Sequence, residues 1–312
     1  MVVANWLATA FVCSAVAIHL ASIAITIRQF RRAARASSLD VTPPVTILRP
    51  VCGIDNHAET TLRSTFELDW PDYEIIFCSA SEADPVVPLV NRLIEQYPNI
   101  PARLLTGDDR ISINPKLNNL VKGWDAATYE WIVMSDSNVL LPTNYLTSVM
   151  GCWTPGTGLV CSPPVGGKPA SVAAELECAF LNTYEARWQI VADGIGLGFA
   201  QGKTMLWRKD ILDRAGGVPA LARETAEDAA ATKVVREAGL SVRLDPGPFI
   251  QPLGCRDFAS VWSRQVRWAR LRRASFKHFF LLEILGGGLF PFSAATYLAA
   301  IGTIPFSAVF GL

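Results

Sequence analysis

Histidine is nearly missing from this chain: among 312 residues only His19, His57 and His278 carry an imidazole. The seven cysteines, at 13, 52, 78, 152, 161, 178 and 255, are odd in number, irregularly spaced and never arranged as Cys-x-x-Cys. No zinc site of standard spacing can be built from that set, and reduced thiols in a reducing compartment are the expectation. Net charge is missing too. The 28 basic residues balance 28 acidic ones, which excludes a nucleic-acid binder that works by neutralising phosphates. Charged residues of both signs make up only 18% of the chain, against about 25% in an ordinary soluble domain. Apolar residues are half of the total, and they gather at the two ends.

Standard phosphate loops are lacking as well. Gly202-Lys203-Thr204 ends like a P-loop, but the position that should carry its first glycine is Leu197. Gly194-x-Gly196-x-Gly198 misses the spacing of a dinucleotide-binding turn, and no acidic residue follows at about 20 positions.

What is present begins with long apolar runs. Met1 to Ile27 contains no Asp, Glu, Lys or Arg, and Arg28, Arg31, Arg32 and Arg35 follow at once. About 20 apolar residues cross a bilayer, so Trp6 to Ile27 is expected to span one. A cleaved signal peptide would need a basic region ahead of a shorter apolar core, and neither is present. The arginines place their side in the cytoplasm and the N-terminus outside. Ile284 to Leu312 is also free of charge but carries Gly286, Gly287, Gly288, Pro291 and Pro305. It reads as one kinked span or as two segments, the second incomplete. The chain stops inside apolar sequence, as a truncated or unusually short chain would.

Between these ends the pattern alternates. Strands are predicted at Val45–Arg49, Tyr73–Cys78, Ala102–Leu105 and Trp131–Met134, with helices at Glu59–Leu68, Pro88–Gln96 and Pro115–Ala126. That alternation implies an α/β domain with a largely parallel sheet and helices on both faces. The organisation expected is an anchor over 1–27, a basic linker over 28–44 and a catalytic domain over 45–255. An amphipathic helical region over 256–283 and the C-terminal apolar part over 284–312 complete it.

Ligands in such sheets bind at the carboxyl ends of strands, so polar residues there are the candidates. Asp84 follows the second strand, Asp136 ends the fourth in Ser135-Asp-Ser-Asn138, and Asp228 begins a helix in Glu224-Thr-Ala-Glu-Asp228. Each alone also reads as a cap or turn residue. A fourth element joins them. A helix expected over Asp257–Phe280 carries Arg264-Gln-Val-Arg267-Trp268, and positions i, i+3 and i+4 share a face. The same helix, with Arg270, Arg272, Arg273 and Lys277, also suits an anionic lipid surface.

Asp84, Asp136, Asp228 and Arg264-Gln-Val-Arg267-Trp268, in that order, resemble the D, D, D, (Q/R)xxRW signature of processive-type family-two glycosyltransferases. Arg49-Pro-Val-Cys-Gly53, Phe66-Glu-Leu-Asp-Trp-Pro71, Asn114-Pro-Lys-Leu-Asn-Asn119, Trp207-Arg-Lys-Asp210 and Ala226-Glu-Asp228 bring the likeness closer. They resemble ceramide glucosyltransferases and their bacterial lipid-glycosylating relatives, over roughly Thr46 to Arg273.

The resemblance implies a GT-A nucleotide-diphospho-sugar transferase fold, with flanking transmembrane helices and an interfacial amphipathic helix. It implies that Asp84 holds the uridine end of a UDP-sugar donor, with Lys116 also touching the donor. Asp136 would bind a divalent cation, Mn or Mg, on the pyrophosphate, and Asp228 would be the base on the acceptor hydroxyl. Arg264, Arg267 and Trp268 would close over the diphosphate. One positioned base is enough for direct displacement with inversion. Two departures are visible: Asn138 replaces the second acid of a D-x-D metal motif, and Glu185-Ala-Arg187 stands where the animal ceramide enzymes have His-Pro-Arg. The expected acceptor is a membrane lipid hydroxyl, with ceramide, diacylglycerol and a hopanoid all open. A bacterial inner membrane is the expected location. A processive polysaccharide synthase and an inactive membrane scaffold are the competing readings.

Overall fold

The computed structural model describes residues 2–33, 41–247 and 249–309. Helix α1 (Val2–Ala33) is unbroken and continues through Arg28, Arg31 and Arg32. The linker expected from residue 28 therefore begins later, and residues 34–40 of it lie outside the described residues.

The alternation then appears as β1 (Val45–Pro50), α2 (Ala58–Arg63), β2 (Tyr73–Ser79), α3 (Val87–Gln96), β3 (Ala102–Thr106), α4 (Pro115–Ala126) and β4 (Trp131–Ser135). All four expected strands are found, each slightly longer than expected. The helix expected over Glu59–Leu68 is α2 plus a 3₁₀ turn over Ser64–Phe66. Its tightening coincides with Ser64, whose hydroxyl donates to Thr61 O and accepts from Leu141 N.

The second half holds α5 (Tyr145–Gly151), β5 (Thr157–Cys161), β6 (Val165–Pro169), α6 (Val172–Phe180), a π turn (Leu181–Glu185) and α7 (Ala186–Gly194). After these come β7 (Thr204–Arg208), α8 (Lys209–Arg214), α9 (Glu227–Glu237), β8 (Ser241–Leu244) and β9 (Ile250–Gly254). The chain ends with α10 (Phe258–Ser275), α11 (Lys277–Gly286), α12 (Leu289–Ala300) and α13 (Phe306–Val309).

The main sheet has the order β3-β2-β1-β4-β7-β5-β8. Only β7 runs against its neighbours, antiparallel to both β4 and β5. A separate parallel pair joins β6 to β9. Alternate residues of the central strands feed two apolar cores, as a sheet covered on both faces requires. Leu48, Ile76, Ile132 and Met134 face a core with Trp124 and Trp207. Ile47, Ile75, Phe77 and Val133 face another with Phe66 and Tyr145. Both tryptophans are fully buried. Truncating either to alanine should cost about 3–5 kcal/mol. The chain leaves β1 toward β2 and β3, then returns to β4 on the other side. This reversal opens a crevice at the carboxyl ends of β1 and β4, where such sheets bind ligands.

Among the described residues two apolar helical stretches are long enough to cross a membrane, Val2–Arg31 and Lys277–Ala300, and only 11% and 12% of their most apolar windows are buried. They are therefore not core helices. The helix expected over Asp257–Phe280 is instead α10 and α11, broken at Phe276 where φ is −140°. Helices α11 and α12 meet at Gly287 and Gly288, so the C-terminal region forms one kinked apolar path followed by the short α13. Helix α1 buries Ala15, Ser22 and Gln29, spaced seven apart, along a seam, and it packs on α7 and α12.

Candidate active site

The antiparallel pairing of β4 with β7 sets Ser135 opposite Thr204, and Asp136 N donates to Lys203 O at 3.0 Å. Lys203 Nζ then lies 3.4 Å from Asp136 Oδ2 and 3.3 Å from Asn138 Oδ1. On the other side, Asn114 caps α4 by accepting from Lys116 N, with Pro115 at the first helical position. That start aims Lys116 Nζ at Asp136 Oδ1 (2.7 Å), Glu227 Oε1 (2.9 Å) and Gly202 O (2.6 Å). Asn114 Nδ2 donates to Glu227 Oε2 at 2.8 Å. A Cβ at Gly202 would lie 2.7 Å from Glu227 Oε1 and 3.3 Å from Lys116 Nζ, so any side chain there would push the Glu227–Lys116 pair aside.

The charges in the crevice are unequal in their balance. Burial would raise the Asp136 carboxyl, but Lys116 and Lys203 outweigh it and hold it at about 2. Burial disfavours the charge on Lys116 too, yet the flanking Asp136 and Glu227 carry its pKa above the ordinary value. Lys203 goes the other way. Burial lowers it, Asp136 only partly compensates, and Lys116 and Arg264 lower it further. Both ammoniums touch Asp136, and the difference is that Lys116 has two carboxylates while Lys203 has one and faces two cations. Lys203 is the cation left wanting an anion.

Asp228 starts α9 beside Glu227, where the helix dipole favours negative charge. Burial pushes its carboxyl up, Glu227 adds to the rise, and Lys116 with the Ala229 and Gly202 backbone amides oppose it, for a value of about 6. A partly buried carboxyl that ionises near neutrality is the form a general base takes.

Asp84 stands apart from this cluster. Its Oδ1 accepts from Gly53 N and Val86 N, both at 2.9 Å, tying its turn to the loop after β1. Gly53 has φ +64°, a conformation that favours glycine. The fully buried Arg49 supports the other wall. It donates to the Asp136 and Val139 carbonyls at 2.7 and 2.8 Å and to Thr61 and Thr65. Burial lowers its pKa to about 10, with Tyr145 and Asp136 opposing.

From α10, Arg264 reaches the cluster closely enough to depress Lys203. It is held by Glu177 Oε1 at 3.3 Å, while Arg256 Nε is 3.3 Å from Glu177 Oε2. Arg267 is exposed and Trp268 half-buried. No residue of α10 is buried, which disposes of a core helix. Arg272 corrects the expectation of a free basic surface. Its guanidinium pairs with Glu185 at 2.9 Å and Glu283 at 2.8 Å, bolting α10 to the π turn and to α11.

The donors around Asp136 are hard oxygens of the kind that suit magnesium or manganese, which are bound by one or two carboxylates completed by substrate phosphates. Among the described residues no group of three His, Cys, Asp or Glu is placed to hold a metal. The Lys203 ammonium bridging Asp136 Oδ2 and Asn138 Oδ1 is a cation standing between the two oxygens that a divalent ion would use. The pair fits such an ion as an open site, not as a cage.

The model of the family described as glycosyl transferase family 21 matches residues 9–312. This chain belongs to glycosyl transferase family 21. The family 21 chain is 28% identical over 247 residues to ceramide glucosyltransferase 1 of Caenorhabditis elegans, covering 78% of this chain and 53% of that protein. It is 30% identical to the ceramide glucosyltransferase of Komagataella phaffii, covering 88% of this chain and 65% of that one. The chain thus spans between about half and two thirds of the length of these relatives. Both are eukaryotic, and they lend no support to the expected bacterial inner membrane. Its fold is similar to that of a mannosyltransferase from Pyrobaculum calidifontis, solved with GDP-Man and Mn2+. The TM-score is 0.58 with 19% identity, over 96% of this chain and 90% of the other. The GT-A fold expected from the signature is the fold observed.

Three residues of the candidate site escaped sequence reasoning. Lys203 was visible only as part of a failed P-loop, and its role comes from strand pairing. Glu227 sat next to the expected base and carried no signal of its own. Glu177 could have been noticed as the second acid in Val172-Ala-Ala-Glu-Leu-Glu-Cys-Ala-Phe180, whose spacing of four from Ala173 and three from Ala174 puts it on their buried face.

Proposed function

We propose that this chain carries the catalytic part of a membrane-bound, inverting glycosyltransferase that moves a hexose from a UDP-sugar to a lipid hydroxyl. The observation that carries this reading is the cluster at the carboxyl end of β4, where Lys116 bridges Asp136 and Glu227 and Lys203 reaches Asp136, with the partly buried Asp228, raised to about 6, next to Glu227. Lys203 and Arg264 take the donor diphosphate and offset the charge that grows on the leaving group. Arg267 and Trp268 close from α10, and Asp84 with the Gly53 loop receives the uridine end. Asp228 accepts the proton of the acceptor hydroxyl as the lipid oxygen attacks the anomeric carbon from the face opposite the diphosphate. Asp136 Oδ2 and Asn138 Oδ1 would hold Mn or Mg against the phosphates, where the ion supplies further charge neutralisation.

The name carried by the relatives supports glucose as the sugar and ceramide as the acceptor. Two exposed apolar helices support membrane crossing, and Arg28, Arg31 and Arg32 support a cytoplasmic catalytic domain. The test is release of UDP by the purified full chain, given a panel of UDP-sugars with ceramide, diacylglycerol or a hopanoid. A glycolipid product upholds the reading. A polymer would assign the chain to the processive synthases, and no turnover with any pair would leave a scaffold.

A further inference from the structure

Helix α1 packs on α12 and on α7, and a polar contact marks each of the two stretches. Tyr297 Oη donates to Asn5 Oδ1 at 2.7 Å near one end of α1, and Gln29 Nε2 donates to Asp193 Oδ2 at 2.9 Å near the other. His19 lies between, about 21 Å along the helix from Asn5. With the bilayer crossed as proposed above, a hydrocarbon layer of about 30 Å places His19 in its cytoplasmic half. A charged side chain at that depth is costly without an opposite charge.

Arg187 is at that level. Its Nη2 lies 3.1 Å from His19 Nδ1. A guanidinium can only donate, so the imidazole accepts and is neutral there. The Arg187 guanidinium also stands 5.4 Å over the Trp188 ring. Neither contact supplies an anion. Glu185, two residues away in the chain, is already taken by Arg272, which also holds Glu283. Among the described residues Arg187 makes no ion pair, and its buried Nε has no hydrogen-bond partner.

We propose that Arg187, steadied by His19 and Trp188, binds the phosphate of an anionic glycerophospholipid from the cytoplasmic leaflet. The site is separate from the diphosphate pocket, because Arg187 lies ten residues beyond Glu177, the residue that holds Arg264, or about 15 Å along the helix. The planar fork of arginine matches phosphate oxygens, and long basic side chains reach from apolar depth toward headgroups. The occupant is a lipid and not free phosphate, because acyl chains can lie along the exposed apolar faces of α1 and α11. The inference rests on the membrane reading and not on sugar transfer, so it can be tested without turnover.

The experiment is native mass spectrometry of the full chain in detergent, titrated with dioleoyl-phosphatidylglycerol or dioleoyl-phosphatidylcholine. The expected result is one tightly held phosphatidylglycerol that equimolar phosphatidylcholine does not displace. Arg187→Gln should weaken that binding about tenfold, and Arg187→Lys should retain part of it. Excess inorganic phosphate should leave the lipid in place. Equal binding of both lipids by the unmodified chain, which needs no variant to fold, would overturn the proposal. So would displacement by inorganic phosphate, or phosphatidylglycerol affinity unchanged in a folded Arg187→Gln protein. Loss of glycolipid synthesis alongside intact lipid binding would count against the proposed function and leave this site standing.

Discussion

At the residue scale, the proposed base Asp228 would couple activity to stability. Its raised carboxyl means that the fold resists the ionised form, so this group stabilises the protein below about pH 4 and that contribution is lost as pH climbs through 6. Asp228→Asn should therefore stabilise the fold by something on the order of 3 kcal/mol at pH 7–8, shrinking toward zero below pH 4. Denaturant midpoints across that range are the check. The same variant should lose about 10²–10⁴ in turnover with donor affinity retained. In the unmodified protein kcat/KM should rise with pH through about 6, because the base must be ionised; a flat profile there would remove Asp228 from the role. Asp136→Ala should abolish manganese-dependent donor binding, measured by calorimetry with UDP with and without chelator. Manganese dependence that survives this change would move the ion elsewhere. At this scale the three aspartates and the Arg-x-x-Arg-Trp pattern were legible because their order along the chain is itself the signal. Lys203 was not, since it reaches Asp136 only through the strand that happens to pair beside it.

At the element scale the π turn between α6 and α7 has the largest reach. Glu177 and Glu185 on one helix meet Arg264 and Arg272 on α10, with the same eight-residue spacing on both sides. A π turn winds more slowly than an α-helix, so it changes the face that later residues present. Deleting the exposed Thr183 should restore α winding and swing everything after it by about 100°. The contacts Glu185–Arg272, Arg187–His19 and Asp193–Gln29 would then be lost together, while Glu177–Arg264 stays. The expected outcome is a marked fall in thermal stability, with residual donor binding by calorimetry. Full stability in the deletion would show that the turn is a passive bulge. None of this could be read from hydrophobic spacing, because Leu181-Asn-Thr-Tyr-Glu185 is equally compatible with either winding. Strands β1 to β4 were legible because each is a short apolar run between turn residues. Strand β6, Val165-Gly-Gly-Lys-Pro169, has neither alternation nor a helix-like repeat, and only its pairing with β9 makes it a strand.

At the scale of the whole molecule, the catalytic unit and the apolar helices are one packed body. Residues Ile190, Val191 and Asp193 of α7 are buried, and Gln29 of α1 supplies a hydrogen bond to Asp193. A chain lacking residues 2–31 should expose that face and leave the Asp193 carboxylate short of a partner. Its unfolding temperature in detergent should fall well below that of the full chain, and an unchanged value would mean that α1 is merely a leash. The α/β class and the apolar ends were legible from composition and alternation. The docking of one upon the other was not, since the seam of Ala15, Ser22 and Gln29 uses small and polar residues that no hydrophobic pattern distinguishes.

That seam has a consequence for the choice of acceptor. A catalytic domain hung on a flexible tether can rise or sink to meet hydroxyls at any height above the lipid surface. With the nine residues of α7 packed along α1, the pair would work instead as a ruler that holds the proposed base, Asp228, at one elevation. Lipids would then be sorted by how far the nucleophilic oxygen protrudes from the glycerol or sphingoid plane, before any contact reads their chemical identity. Adding or removing a single atom between backbone and hydroxyl should matter more to such an enzyme than lengthening the acyl chains.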